Sequence, residues 1–279
     1  MELCSNNTKN IILVTHSSSI ICFIENIIGQ KMKEYRQKNN MSKIIFNNSA
    51  IIKIEINNCG SVKIYLEFDG NNKETKNNFF TNNKNNINGV YFEPVIIDFL
   101  KFNIFLLDLN NKNYNIFIIR HAQAEHNINK NNKKQDTLLT NTGLTQAHNI
   151  GIIIQKILNK NKINYLFSSN LRRTRQTLEI ISTCINCDSL DIIVLPCTHD
   201  LKASNDGYCN FKITKNISIA GQMLCDIPQD NCNQNDLCCF INNKKINWEF
   251  YEDNKKINCM ENNIIKIILQ YINYNDTTT

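Results

Sequence analysis

The chain has 279 residues, a formal net charge of +6, 42% apolar and 20% charged residues. These values exclude a disordered chain or a coiled coil and leave room for a sizeable core. Lysines are scattered with no dense basic run, so no nucleic-acid partner is expected.

In chain order, 10–15 (NIILVT) is a short apolar run ending at His16 and reads as a buried strand. Residues 18–28 place Ile20, Ile21, Ile24, Ile27 and Ile28 on one helical face, with Gly29 as a stop. Residues 50–57 and 61–68 alternate apolar and polar around Asn57-Asn58-Cys59-Gly60, the pattern of a β-hairpin. An Asn/Lys tract at 71–89 has no periodicity and reads as a connection. The apolar stretch 90–109 is broken by Glu93, Pro94, Asp98, Lys101, Asn103 and Asp108, so no membrane span is expected.

A second strand–helix series begins with the apolar run 115–119 and ends at Arg120-His121. Residues 143–158 have helical spacing with Thr140 as N-cap; 164–167 is a strand, 171–182 a helix, 191–195 a strand, and 261–272 a closing helix. Residues 203–247, rich in Cys, Asn and turn formers, carry no assignable pattern. Strands alternating with helices imply an α/β domain with a mostly parallel sheet.

Asn and Ile dominate the composition, so either residue carries little information; the five His and five Arg carry more. The twelve Cys are irregularly spaced, and no basic-then-apolar leader opens the chain, so reduced thiols in a cytoplasmic protein are expected. Cys184 and Cys187 form a CxxC with no second pair nearby, so no metal site is expected.

His16 and His121 each end an apolar strand. In an open α/β sheet, ligands bind beyond the carboxyl ends of the strands, so parallel neighbours would bring both imidazoles to one rim. Arg120 lies beside His121, and Ser169-Asn170-Leu171-Arg172-Arg173 brings more arginine to the end of a third strand. Imidazoles, guanidiniums and helix N-termini around one rim suit a phosphate dianion, and a neutral imidazole can attack phosphorus.

The segment Arg120-His121-Ala122-Gln123-Ala124-Glu125-His126-Asn127 resembles the RHG-type signature of the histidine phosphatase superfamily, which includes the phosphoglycerate mutases. Asp136 to Gly143 with Gln146-Ala147 resembles the next block, Ser169 to Arg173 with Gln176-Thr177 the block after it, and Leu195 to Leu201 the segment that supplies an acidic proton donor. The second histidine, normally late in the family, is matched here by Leu13-Val14-Thr15-His16. The blocks therefore stand in circularly permuted order. Residues 113–279 correspond to the family's N-terminal and middle part and 1–70 to its C-terminal part, with 71–112 bridging them in one domain.

The resemblance implies a three-layer α/β/α domain with a mostly parallel central sheet. It implies no cofactor or metal, and a phosphorylated small molecule or phosphoprotein as substrate. His121 would take the phosphoryl group, while Arg120, Arg173 and His16 bind its oxygens and Asn127 lines the pocket. Asp200 would protonate the leaving group, with His199 and Asp206 as alternatives. Ala122 and Ser17 replace family glycines, each adding a side chain where backbone approaches phosphate. Arg172 and Arg175 are expected as solvated helix charges, and His126 and His148 at the surface. A phosphatase is expected ahead of a mutase, for which no extra substrate-carboxylate contacts can be placed. The reading of another class is a non-catalytic binding module. Exchange of residues 1–70 in a homodimer is the alternative way to complete the site.

Overall fold

The computed structural model describes residues 8–21, 23–24, 46–58, 62–68, 70, 112–128, 137–187, 189–195, 198, 246–250 and 264–276. The strands are β1 (Thr8–Thr15), β2 (Ile51–Ile56), β3 (Val62–Phe68), β4 (Asn113–Arg120), β5 (Tyr165–Ser168), β6 (Ile192–Val194) and β7 (Ile246–Asn247). The helices are α1 (Glu125–Ile128), α2 (Asn141–Leu158), α3 (Arg172–Cys184) and α4 (Ile264–Asp276), and a further helical segment covers 17–21.

All seven strands form one sheet in the order β3-β2-β4-β1-β5-β6-β7. β4, β1, β5, β6 and β7 run parallel, and the β2–β3 hairpin joins antiparallel through β2 against β4. β1, the first of the described strands, is thus a central strand. Ile11, Ile12, Leu13 and Val14 are all fully buried, which a strand reading as a continuous apolar run requires when both faces are covered. Ile11 and Leu13 belong to one core with Ile265 and Ile268 of α4 and Ile20 of the helical segment. Ile12 and Val14 belong to another with Ile150 and Ile154 of α2 and Leu178 and Ile181 of α3. Each such side chain contributes roughly 1.5–3 kcal/mol on burial. The result is a mixed α/β fold centred on the sheet.

Local chemistry sets the helix ends. Thr140 is the N-cap of α2, its side-chain oxygen accepting from the Gly143 amide at 3.0 Å, as the sequence predicts. Asn159 closes the helix in the left-handed region at φ 44°, a conformation Asn tolerates well. β7 is an addition that the sequence pattern does not reveal. Its neighbour Trp248 explains a correction: Arg175, expected in solvent, is 2% exposed with its guanidinium 5.2 Å from the indole centroid. Arg172 is only half-buried. The Asn/Lys tract, the 90–109 stretch, the Cys59-Gly60 turn, the helical residues beyond 24 with the Gly29 stop, and nearly all of 203–247 lie outside the described residues. Among the described residues, no helix is long and apolar enough to cross a membrane.

α2 and α3 meet where Gly151 faces Cys184. A Cβ on Gly151 would lie 2.5 Å from the Cys184 Cβ and 2.6 Å from its Sγ. On an exposed helix surface Gly→Ala would stabilise by about 1 kcal/mol. Here Gly151→Ala is expected to destabilise by about 1–3 kcal/mol through overpacking. Urea unfolding checks the sign, and Cys184→Ala in the same chain should recover part of the loss.

Candidate active site

The register of three parallel strands sets the site. Thr15 pairs with Arg120 and Val14 with Ser168. The ladders close with the His121 amide donating to the Thr15 carbonyl at 3.0 Å and the Ser169 amide to the Val14 carbonyl at 3.1 Å. The next residues along, His16, His121 and Ser169, therefore emerge together at one rim. Within a single chain the His16 and His121 ring centroids are 5.2 Å apart, at 60° to one another.

His121 is 3% exposed, and its Nδ1 lies 2.7 Å from the Ala122 carbonyl oxygen. A carbonyl can only accept, so Nδ1 carries the ring proton and Nε2 keeps its lone pair. Burial, then the charge of Arg173, then the repulsion a protonated His121 would meet from His16 were that ring also protonated, then the charge of Arg120, hold the imidazole well below the ordinary value of 6.5. The ring is neutral at physiological pH, in the tautomer a nucleophile needs. The same positive field is what a phosphate dianion would neutralise.

His16 is oriented by a directional chain. Thr174 Oγ1 gives its one proton to the Leu171 carbonyl at 2.6 Å. Ser169 Oγ therefore donates to Thr174 Oγ1 at 3.0 Å and accepts from His16 Nε2 at 2.8 Å. That leaves His16 Nδ1 as the atom met by Arg173 Nη2 at 3.5 Å. Arg173 is fully buried.

The loop after His121 is clamped by side chains. The amides of Ala122, Gln123 and Ala124 donate to Thr177 Oγ1 (3.1 Å), Gln146 Oε1 (2.9 Å) and Asn127 Oδ1 (2.9 Å), respectively. Thr177 Oγ1 also donates to the Arg173 carbonyl at 2.7 Å, tying the loop to the helix that carries the arginine. Gly143 permits the closest approach, since a Cβ there would lie 2.0 Å from the Gln123 carbonyl oxygen. Two expectations change. These three amides are engaged within the protein, so an anion beside the loop would meet side chains rather than these backbone groups. The Ala122 methyl, expected beside the phosphate, is buried with Ala124, Leu139, Leu144, Ala147 and Ile180.

Arg120 is half-buried and donates from Nη1 to the Phe46 carbonyl at 2.5 Å. Asn127, expected on the pocket wall, accepts from both the Ala124 amide and Asn48 Nδ2. His126, expected at the surface, is half-buried with its ring centroid 5.6 Å from that of His121. Half-buried Ser17 opens the helical segment whose Ile20 amide donates to the His16 carbonyl. Asp200, His199 and Asp206 lie outside the described residues. Thr198, two positions before Asp200, is buried, and its carbonyl accepts from Thr15 Oγ1 at 2.5 Å and Ser19 Oγ at 3.3 Å. Among the described residues no group of three His, Cys, Asp or Glu side chains is placed to hold a metal ion.

Sequence reasoning missed Asn48 and Ser49 as participants, and named Ser169 only within its motif block. Asn48 Nδ2 reaches the His121 carbonyl at 3.1 Å, and the Ser49 amide donates to the Arg120 carbonyl at 3.2 Å. Their one signal was position, immediately before a strand that pairs with β4.

Residues 116–199 match the family model of the histidine phosphatase superfamily (branch 1). This span contains Arg120, His121 and Arg173, and stops short of Asp200. No curated protein and no solved structure shows a significant match to the chain.

Because folding lowers the proton affinity of His121, the unfolded chain binds this proton at higher pH than the folded one. The stabilisation is complete above about pH 6.5 and is lost as pH falls below it, at up to about 1.4 kcal/mol per unit for one proton. Urea unfolding between pH 7.5 and 5 should show this component in the wild type and its absence in His121→Gln. An equal slope in both would contradict it.

Proposed function

We propose that the chain is a phosphatase that hydrolyses a phosphomonoester, of a small molecule or a phosphoprotein, through a phosphohistidine on His121. The observation that carries this reading is the His121 Nδ1–Ala122 carbonyl hydrogen bond, which leaves the Nε2 lone pair in a positively charged, buried setting. The family match over 116–199 supports phosphoryl transfer.

The substrate dianion binds with its oxygens toward Arg120, Arg173 and His16. It replaces the long Arg173–His16 contact with donors from both residues and draws a proton to His16 Nδ1. His121 Nε2 attacks phosphorus, a P–N bond forms, the ester P–O bond breaks, and the leaving oxygen takes a proton from Asp200. A water molecule then gives a proton to the Asp200 carboxylate and attacks phosphorus. The P–N bond breaks, inorganic phosphate departs, and His121 returns to its neutral form. Arg120, Arg173 and His16, held in place before the substrate arrives, supply most of the stabilisation of the transferring group. The resemblance of Leu195 to Leu201 to the family segment that supplies an acidic proton donor supports Asp200 in this role.

The closeness of His16 and His121 within one chain supports a single domain with permuted blocks over exchange between chains. It also supports a working site over a degenerate binding module.

The test is hydrolysis of an aryl phosphate. His121→Ala is expected to lose at least about 10³-fold, and Arg173→Ala about 10²–10³-fold in kcat/KM. Asp200→Asn should accumulate an acid-labile phosphoenzyme on His121. A mixture of His16→Ala and His121→Ala chains should stay inactive. Wild-type inactivity, or activity surviving in His121→Ala, would sink the phosphatase; transfer of the label to a sugar or acid acceptor in preference to water would make it a mutase.

A further inference from the structure

The carboxamide of Asn127 fixes which nitrogen of His126 carries its proton. The Ala124 amide can only donate, and it lies 2.9 Å from Asn127 Oδ1, so that atom is the oxygen; it also accepts from Asn48 Nδ2 at 3.1 Å. Asn127 Nδ2 must then donate, and its partner at 3.1 Å is His126 Nε2. Nε2 therefore bears no hydrogen. The ring proton sits on Nδ1, 2.7 Å from buried Thr137 Oγ1. The bonds form one line: Thr137, His126, Asn127, and from there the Ala124 amide and Asn48, whose Nδ2 also reaches the His121 carbonyl at 3.1 Å.

We propose that His126 is a positioning residue for phosphoryl transfer at His121. Its neutral imidazole bridges Thr137 to Asn127. Asn127 and Asn48 in turn hold the two ends of the loop whose Ala122 carbonyl orients the nucleophile. The proposal rests on His121 being that nucleophile. His126 does not pass a proton to the substrate, because the nitrogen that would carry it accepts from Asn127.

A glutamine side chain offers one acceptor and one donor in a similar arrangement to the two ring nitrogens, but it cannot exchange a proton near neutral pH. A leucine offers neither. Steady-state hydrolysis of an aryl phosphate is therefore compared in wild type, His126→Gln and His126→Leu, with thermal melts of each. His126→Leu is expected to lower kcat about tenfold, the factor carried by one buried hydrogen bond of ordinary strength, with KM nearly unchanged. His126→Gln should recover kcat to within about threefold of the wild type. If His126→Leu does not fold, Thr137→Val keeps the volume and removes only the distal partner, and it should show the same kcat loss.

A folded His126→Gln as poor as His126→Leu would overturn the positioning role, as would wild-type kcat in His126→Leu or in Thr137→Val. An active, His121-dependent wild type with an indifferent His126 sinks this proposal alone. A wild type without hydrolysis removes the phosphatase reading and this proposal together.

Discussion

Parallel pairing of β1 with β4, closed by the His121 amide on the Thr15 carbonyl, is the constraint on which the rest of the molecule depends. A slip of one residue would turn every side chain of β1 to the opposite face. Ile11 and Leu13 would leave the α4 core, Ile12 and Val14 would leave the α2–α3 core, and His16 would no longer stand level with His121. The same apolar run therefore fixes the core and sets the spacing of the two imidazoles. No separate device is needed to bring them together.

Around that register the site divides its labour. Backbone amides from His121 to Ala124 are engaged inside the protein, by Thr15, Thr177, Gln146 and Asn127. The loop is consequently held in shape, while the positive charge comes from Arg120 and Arg173. Thr177 links the two roles, since one hydroxyl accepts from the loop and donates to the carbonyl of Arg173. Loss of that hydroxyl would disturb the loop after His121 and the backbone of Arg173 at once.

Rare residues and regular periods were the legible part of the sequence. Arg120 and His121 stood out because arginine and histidine are scarce, and β1, β4 and α2 because their apolar spacing is clean. Contacts made across sequence distance were not legible. Asn48 was one asparagine in a chain full of them. Arg175 read as solvated because Trp248, which covers it, follows a patternless stretch and a strand of two residues, too short to alternate. His126 sits on a single helical turn, and its partner Thr137 comes from beyond that turn. Ala122 looked like an intrusion on the pocket because a motif gives residue order without the direction of a Cβ.

The place of β1 in the sheet has a consequence for how the chain comes to be folded. Asn10 and Asn115, bonded side chain to side chain in the finished sheet, are 105 residues apart. At synthesis rates of 5–20 residues per second, β1 waits roughly 5–20 s for the strand that will flank it. During that interval an apolar strand destined for the middle of the sheet has two open edges, the condition under which strands pair with the wrong neighbour. Contacts so distant in sequence also slow the search for the native state. The arrangement that gives one chain both imidazoles thus leaves an apolar central strand open until its partner is made, and in that interval shielding by other proteins would matter most.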